Sequence, residues 1–464
     1  MIPMKTMHGI LRCVTSTTEL LLDLVDSNRH GHAVGLPSIC SANQFVLEAA
    51  VQQAKRDETV VLIESTCNQV NQFGGYTGMR PTDFVALVAK VAAQQKYPLA
   101  GVILGGDHLG PYPWRNEPAA QAMTKARDLV RAYVLAGYTK IHLDCSMRLA
   151  DDPGAAGDPL NDETAATRTA DLAAVTEEAW SGLLAGQPAP LYVIGTEVPT
   201  PGGEQAAQAG PAVTTVTHAR HTHELCAHAF GTAGLHHAWE RVVALVVQPG
   251  VEFGDNIVFD YRRTPAALEL ASAVGHLPHL VYEAHSTDYQ TSDALRALVE
   301  DHFAVLKVGP ALTFALREGM FALAAIEDEL FGRSSAGRTK VPGRAKIRLS
   351  RLRETIDRVM REHPEHWQAY YSGDEAALRL ARDFSYSDRI RYYWPQTDVR
   401  RASERLIANL SEHAIPSALL SQYLPNEARA VRDGSLPAQP SPQELIHHKI
   451  ITVLDDYAAA CDMR

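Results

Sequence analysis

The chain has 464 residues and a mass of 50.6 kDa, with 46% hydrophobic and 21% charged residues. That composition excludes a dominantly disordered protein, and the formal net charge of −11 argues against bulk attraction to nucleic acid or to an anionic membrane. No apolar run reaches the roughly 20 residues of a membrane-spanning helix, and the N-terminal residues show no signal-peptide pattern. The six cysteines form no C-x-x-C pair, so we expect a cytoplasmic protein with neither a disulfide framework nor a zinc ribbon.

Strand-like apolar runs recur along the first two-thirds of the chain at intervals of roughly 39 residues. They start at Val34, Thr59, Ala100, Lys140, Leu191, Val242, His279 and Ala304. Most intervals hold a segment with helical apolar periodicity, such as the one that begins at Pro81. Strands that alternate with helices indicate a parallel sheet, and eight such units predict an α/β fold of the (β/α)8 barrel type over residues 1–330.

The last third of the chain differs in composition from the barrel region. Residues 331–350 are rich in arginine and lysine with Ser, Gly and Pro between them, which favours a mobile, solvated loop over a binding patch. Residues 351–464 are predicted to form an additional, mostly helical C-terminal domain that packs on the barrel.

Polar or ionisable residues follow nearly every predicted strand. In a barrel of this type the active site lies at the carboxyl ends of the strands, so these residues are expected to converge on one rim. His108 and His285 end the third and seventh strands, and Glu197 and Glu252 end the fifth and sixth. Two imidazoles and one carboxylate are a common ligand set for a divalent metal with open positions, although a single buried histidine is more often a hydrogen-bonded core residue. Such a metal can polarise a ketone.

Two further residues allow more than one role. Asp107 adjoins His108 at a strand end, where the backbone turns, so both can face the site; its role is either proton transfer or capping of the next helix. Lys307 lies in an apolar strand, which is expected to lower its pKa and to permit a Schiff base with a ketose. The alternative is a buried lysine paired with Glu64 or Glu283.

Long stretches of the chain resemble the Z-type subunit of tagatose-bisphosphate aldolase. The matching stretches are 65–78, 105–111, 140–147, 195–204, 247–253, 282–290, 306–318 and 385–394. The resemblance implies a relationship to class II aldolases, which are metal-dependent barrels in which an Asp-His pair supplies a proton-transfer Asp and a metal ligand. Asp107 and His108 match that pair, and His285 matches the metal ligand of the seventh strand. The metal ligand of the sixth strand has no histidine counterpart, and either Glu252 or Gln248 stands in its place.

The resemblance also implies how the chain functions. Relatives are described either as accessory subunits that stabilise a smaller Y-type aldolase chain or as epimerases acting at carbon four of fructose- or tagatose-type ketoses. Both enzymatic reactions share retro-aldol cleavage between carbons three and four. We therefore expect a metal-dependent ketose or ketose-phosphate enzyme, an aldolase component or a 4-epimerase. The alternatives are a non-catalytic stabilising subunit and a Schiff-base aldolase that uses Lys307.

The expected site follows from these assignments. Asp107 and Glu197 are the predicted catalytic residues, and His108, Glu252 and His285 are the predicted ligands of a divalent metal, zinc in the first place and manganese, cobalt or nickel otherwise. Amides after the second strand suit sugar hydroxyls, and Arg389 and Arg391 either clamp a phosphate or anchor a domain interface. The predicted substrate-binding residues are Ser65, Asn68, Gln69, Asn71, Gln72, Asp144, Gln248, Glu283, Ser286, Asp288, Lys307, Gly309, Arg389 and Arg391. A Y-type chain or a second copy of this chain is the expected protein partner.

Overall fold

The computed structural model describes residues 16–154, 159–183, 186–195, 210–332 and 347–464. Eight parallel strands close into a barrel, and each of them overlaps one of the predicted apolar runs. The barrel strands are β1 (Leu36–Cys40), β2 (Val61–Thr66), β3 (Val102–Leu109), β4 (Lys140–Leu143), β5 (Leu191–Gly195), β6 (Val242–Val246), β9 (Val281–Ala284) and β10 (Phe303–Val308). They are neighbours in chain order, and β10 pairs with β1 to close the ring. The predicted (β/α)8 barrel is therefore confirmed. The short antiparallel pair β7 (Glu252–Phe253) and β8 (Val258–Phe259) was not predicted.

Helices alternate with the barrel strands and then fill the rest of the chain. In the barrel region they are α1 (Thr17–Arg29), α2 (Gln44–Arg56), α3 (Pro81–Gln94), α4 (Ala119–Leu135), α5 (Asp162–Ser181), α6 (Val216–Thr232), α7 (His236–Trp239), α8 (Pro265–Ala273) and α9 (Ser292–Glu300). After β10 follow α10 (Pro310–Phe331), α11 (Leu352–Glu362), α12 (Glu375–Phe384), α13 (Thr397–Ser411), α14 (Ser417–Tyr423), α15 (Pro425–Asp433) and α16 (Pro442–Ala460). Side-chain caps define several starts; Asn43, for example, accepts a hydrogen bond from the Phe45 amide at 3.0 Å in front of α2.

The chain divides into two compact units. The barrel unit holds the described residues up to Phe253, then Ile257–Gly309 and Asp455–Arg464, and the helical unit holds Gly254–Asn256 and Pro310–Leu454. The predicted boundary at residue 330 thus differs from this division, because α10 belongs to the helical unit. Most of the basic segment 331–350 lies outside the described residues. Among the helices of the described ranges, none is both long and apolar enough to cross a membrane.

The last ten residues complete the barrel unit. The Tyr457 hydroxyl donates to the carbonyl oxygen of Thr287 at 2.7 Å, just beyond β9. The Gly35 amide donates to the carbonyl oxygen of Cys461 at 3.2 Å, just before β1. These two contacts attach the end of the chain to strands that are far apart in sequence.

Alternation along the strands separates an inward set of side chains from an outward set. On β5, Tyr192 points outward, because its hydroxyl contacts the Glu177 carboxylate of α5, so Val193 and Gly195 face the barrel interior. On β2, the Ser65 hydroxyl contacts the hydroxyls of Tyr133 and Tyr138 at 3.1 and 3.0 Å in the helical layer. Glu64, which precedes Ser65 on β2, therefore points into the barrel.

One buried amide connects three parts of the barrel unit and gives a test of this packing. The Asn28 side chain donates to the carbonyl oxygens of Val34 and Val299, both at 3.0 Å. Asn28→Ala leaves both carbonyls buried without that donor and should lower the free energy of unfolding by on the order of 2 to 4 kcal/mol. Urea denaturation followed by circular dichroism measures the change. The exposed Gln44→Ala serves as control and should change stability by less than about 0.5 kcal/mol; an equal effect of the two substitutions would contradict the prediction.

Candidate metal centre

Charged side chains, not an apolar layer, occupy the middle of the barrel. The Lys140 ammonium of β4 lies 2.7 Å from Glu64 Oε1 and 2.8 Å from Glu283 Oε2. The Lys307 ammonium of β10 lies 2.8 Å from Glu64 Oε2, 2.6 Å from Asp107 Oδ1 and 3.6 Å from Glu283 Oε1. All five side chains are buried. Five different strands thus contribute to one buried ionic network, and each charge in it has a partner.

A glycine on β3 makes room for this network. A Cβ atom at Gly105 would lie only 2.4 Å from Glu64 Oε1, so no larger residue fits without moving that carboxylate. Gly105 lies on the inward face of β3. A side chain at this position would block the contact between Glu64 and Lys140.

Three histidines lie next to the network. The rings of His108, His142 and His285 have centroids 4.8 to 5.3 Å apart. Together with Asp107 they form a buried group in which one ligand atom from each residue lies within 4.8 Å of the others. His108 has a left-handed backbone, with φ at 46°, which turns its side chain toward the same space as that of Asp107. Asp107 and His108 therefore both contribute a ligand atom to the same group.

Hydrogen bonds fix which ring nitrogen of two histidines faces the group. His108 Nδ1 lies 2.8 Å from Asp144 Oδ2, and His142 Nε2 lies 2.9 Å from the carbonyl oxygen of Gly195. Since a carbonyl oxygen only accepts, His142 donates there, and its Nδ1 carries the lone pair. That Nδ1 accepts a hydrogen bond from the His108 backbone amide at 3.2 Å and also lies 2.9 Å from Asp107 Oδ1.

The third histidine is neutral. Burial and the nearby Lys307 ammonium lower the pKa of His285 to about 3, although the hydrogen bond to Glu283 opposes this. Its Nε2 lies 3.1 Å from Glu283 Oε1, so Nε2 carries the proton and Nδ1 the lone pair. A neutral imidazole is the form that binds a metal.

The charges of the network determine the remaining pKa values. Burial opposes the imidazolium form of His108, but the Asp107 carboxylate and the hydrogen bond to Asp144 outweigh it and raise the pKa of His108 to about 9. Burial also opposes ionised Asp107, yet His108 and Lys307 hold the pKa of that carboxyl well below its usual range. The sequence suggested a lowered pKa for Lys307, and this is wrong: the carboxylates of Asp107, Glu64 and Glu283 outweigh burial and raise it well above the ordinary value. Lys307 is the buried, paired lysine of the alternative interpretation.

Glu252 does not join the histidines. Two groups of potential ligands occur among the described residues, the histidine group and the carboxylates Glu64, Asp107 and Glu283, and Glu252 belongs to neither. The Gln248 amide oxygen accepts from the Gly250 and Val251 amides in a turn after β6, and the chain then enters the β7–β8 pair, where Glu252 Oε1 accepts from the Phe253 amide at 2.9 Å. Glu197 lies outside the described residues.

Several predicted substrate-binding residues instead support the fold. Ser65 faces the helical layer, as described above. Asn71 Oδ1 accepts from the amides of Phe73 and Gly75 and so shapes the loop after β2, and Gln72 donates to the carbonyl oxygen of Lys125 at 2.9 Å. The two side-chain amides stabilise local structure, because backbone N–H and C=O groups in a loop lack the partners that regular secondary structure provides.

Four more of the predicted substrate-binding residues form hydrogen bonds within the protein. The Gly309 amide, predicted to meet a phosphate, donates to Asp288 Oδ1 at 3.0 Å, and a carboxylate beside it would repel an anion. In the helical unit, Arg391 donates to the carbonyl oxygens of Ser387 and Asp388. Arg389 donates to the His366 carbonyl oxygen at 2.9 Å and stacks on Tyr370. Both arginines thus anchor the chain locally.

The remaining candidates lie in or beside the site. Asp144 orients His108, and Glu283 and Lys307 are members of the ionic network. Gln69 is buried, with its amide oxygen 4.0 Å from the Cys40 thiol, and that thiol lies 3.6 Å from Asp107 Oδ2. Asn68 and Ser286 are half-buried at the ends of β2 and β9, and Gln248 is buried after β6.

Lys140 and His142 also belong to the site, although neither was predicted from the sequence. Their signal was present, because Lys140, His142 and Asp144 alternate with apolar residues along a strand that is otherwise fully buried. Residues two apart on a strand share one face, so three polar residues in that pattern predict one polar inner face.

Comparison with known proteins identifies the family. The profile of the family described as "D-tagatose-1,6-bisphosphate aldolase subunit GatZ/KbaZ-like" matches residues 21–462. The chain belongs to this family. The resemblance drawn from the sequence motifs is confirmed, and with it an aldolase-related role, as an enzyme or as an accessory subunit.

Solved structures resemble this chain to different extents. A protein from Sinorhizobium meliloti 1021, described as a "probable tagatose 6 phosphate kinase", is 46% identical over 92% of this chain and 100% of its own, with a TM-score of 0.80. The YdjI aldolase of Escherichia coli K12 is 11% identical over 68% of this chain and 88% of its own, with a TM-score of 0.40. The fructose-bisphosphate aldolase of Campylobacter jejuni is 14% identical over 86% and 95%, with a TM-score of 0.42. The last two likenesses are too weak to support an argument about this member of the GatZ/KbaZ-like family.

The tight packing at Gly105 gives a test of the ionic network. Gly105→Ala forces Glu64 away from Lys140 and should lower the free energy of unfolding by about 1 to 3 kcal/mol. Gly275→Ala is the matched control, because a Cβ there meets no atom within 4 Å. Thermal unfolding of the two variants measures the difference, and a stability of Gly105→Ala equal to that of the control would show that the carboxylate is not confined.

Proposed function

We propose that His108, His142 and His285 hold one divalent metal ion at the mouth of the barrel. The charge of the buried network carries this proposal. Its four carboxylates are those of Glu64, Asp107, Asp144 and Glu283, and its two ammonium groups are those of Lys140 and Lys307. Metal binding requires all three imidazoles to be neutral, and the group then carries two net negative charges, which are costly in a buried place. A divalent cation would supply this missing charge and would replace the proton that His108, with its raised pKa of about 9, otherwise holds.

The geometry of the donors fits such an ion. The donor atoms lie within 4.8 Å of one another. In a tetrahedral zinc site with bonds of about 2.1 Å two donors lie about 3.4 Å apart, so the side chains would close on the ion by up to about 1.4 Å. Asp144, Gly195 and Glu283 each bind the other nitrogen of one imidazole, and such outer contacts orient metal ligands. Three nitrogen donors suit zinc, with cobalt, nickel and manganese as alternatives.

The residues around the ion support retro-aldol chemistry on a ketose or ketose phosphate. The ion would supply Lewis-acid polarisation of the substrate carbonyl. Asp107 is the proposed proton acceptor: its Oδ1 is held by the Lys307 ammonium, and its Oδ2 takes the proton of the hydroxyl on carbon four. The bond between carbons three and four then breaks, its electron pair moves into the carbonyl-bearing fragment, and carbon four becomes an aldehyde.

The fate of that aldehyde separates two reactions. Release gives an aldolase, whereas re-addition to the opposite face, with the proton returned from Asp107, gives the carbon-four epimer. Asn68, Gln69 and Ser286 are the proposed contacts of sugar hydroxyls, because they lie at strand ends beside the site. The role of Glu197 as a second acid or base stays a prediction.

A second candidate function has support in the family description, which names an aldolase subunit. In that case this chain stabilises a Y-type catalytic chain, and the buried site binds metal without turnover by the chain alone. Assembly of this chain with a second copy of itself also stays a prediction.

Metal content tests the proposed ligand set. The purified protein should hold about one divalent ion per chain, and His108→Ala, His142→Ala and His285→Ala should each lose it, because each removes one of three nitrogen donors. Asp144→Asn, which disturbs only the orientation of His108, should weaken metal binding roughly 10- to 100-fold.

Elemental analysis and competition with a chelator measure both effects. His223→Ala is the matched control, since His223 is buried on α6 outside the group, and Glu252→Gln should also keep its metal. Full metal loading of His142→Ala would refute the ligand set.

Assays of the isolated chain separate the functions. We expect conversion of fructose, tagatose or their phosphates that a chelator abolishes and a divalent metal restores. Borohydride should trap no adduct on Lys307, because a protonated amine cannot attack a carbonyl. Activity that appears only after a Y-type chain is added would favour the accessory role. Activity that resists a chelator but is lost on treatment with borohydride would indicate a Schiff base on Lys307.

A further inference from the structure

Gln248 occupies a rigid position where β6 reaches the rim of the barrel. It is 2% exposed. Its amide N–H donates to the Thr214 hydroxyl at 2.9 Å, and its carbonyl oxygen accepts from the Thr214 amide at 2.9 Å. Both backbone groups are thus fixed by one residue of a neighbouring segment.

The side chain of Gln248 is equally constrained. Its Oε1 accepts from the amides of Gly250 and Val251 at 2.8 and 2.9 Å. An amide whose oxygen is held by two N–H donors cannot turn over, so Nε2 points away from the turn. Within the described part of the chain, Nε2 is buried and has no hydrogen-bond partner.

Strand register indicates that this Nε2 faces the mouth of the barrel. Val246 pairs with Glu283 on one side and with Gly195 on the other, and both partners belong to the inward set. Gln248 and His285 lie two residues beyond Val246 and Glu283, so alternation gives them the same inward direction at the same level.

Capping of the turn does not explain why the residue at position 248 has a side-chain NH2 group. The turn uses only the oxygen of the side-chain amide, so Nε2 is left as a buried donor that the turn does not need. The oxygen is also turned away, so Gln248 cannot replace the missing metal ligand of the sixth strand, which was one of the two alternatives drawn from the sequence. What the glutamine adds at the site is a neutral, preorganised pair of N–H donors.

We propose that Gln248 Nε2 donates a hydrogen bond to a carbonyl or hydroxyl oxygen of the bound ketose and so contributes to substrate specificity. The inference rests on the proposed function and deepens it. Neutral donors match neutral sugar oxygens, and a fixed donor loses no conformational freedom when the ligand binds. Gln248 is therefore a binding residue beside the proposed ion, not one of its ligands.

Two substitutions test this role. Gln248→Glu keeps the acceptor for the turn and removes the donors, and Gln248→Met removes both without adding charge. Each should weaken binding of the ketose about 10- to 100-fold, measured by titration calorimetry with whichever of D-fructose, D-tagatose and their 1,6-bisphosphates the wild-type protein binds. Metal content should stay at the wild-type value in both variants.

Gln290→Glu is the matched control. Gln290 is also buried, but its oxygen accepts from the Tyr261 amide and its nitrogen donates to the Phe259 carbonyl oxygen. This substitution should lower thermal stability and leave ketose affinity unchanged.

The outcomes separate this inference from the proposed function. Unchanged ketose affinity in both Gln248 variants, with metal still bound, overturns the inference alone. Loss of metal from them also overturns it, because the amide would then act on the ion site. A wild-type protein that binds neither metal nor ketose defeats both proposals. If neither variant folds, a wild-type crystal with bound ketose decides: no sugar oxygen within about 3.2 Å of Nε2 overturns the inference.

Discussion

Two buried ammonium groups organise the interior of this barrel. Lys140 and Lys307 together contact Glu64, Asp107 and Glu283, so that five strands are joined by charge as well as by backbone pairing. In a medium of low polarity, removal of any one member leaves another charge without compensation. The strands must therefore keep their register for the network to close, and the same register brings the three imidazoles to one place. The ionic layer is both the floor of the candidate site and the constraint that shapes it.

Much of the architecture could be predicted because it depends on local patterns. Most barrel strands are nearly continuous apolar runs. Eight such runs separated by amphipathic segments are compatible with few folds other than a parallel barrel. The meeting of His108 and His285 followed from the same reasoning, since both end strands at one rim. The division between the two units could not be predicted in this way: the apolar periodicity of α10 shows that it packs on something, but not on which unit.

The details of the site depend on contacts between residues distant in sequence. The pKa of Lys307 could not be predicted, because strand composition suggested an apolar surrounding whereas three carboxylates from β2, β3 and β9 surround the ammonium. Glu252 was assigned to the metal by its distance from the end of β6, but a turn capped by Gln248 directs the chain into a hairpin first. His142 was not predicted because it lies within β4 and not at the end of the strand, although the alternation of polar residues along β4 indicates that it faces inward.

The contacts of Tyr457 and Cys461 bear on how the protein is made. Residues 455–464 belong to the barrel unit, yet they follow the whole helical unit in the chain. A ribosome therefore releases all eight strands well before the segment that attaches to the ends of β9 and β1 emerges. About 145 residues of the helical unit are synthesised between the last barrel strand and this segment. The contacts of Tyr457 and Cys461 can therefore form only after the helical unit has been translated, and a chain that stops within that unit lacks them.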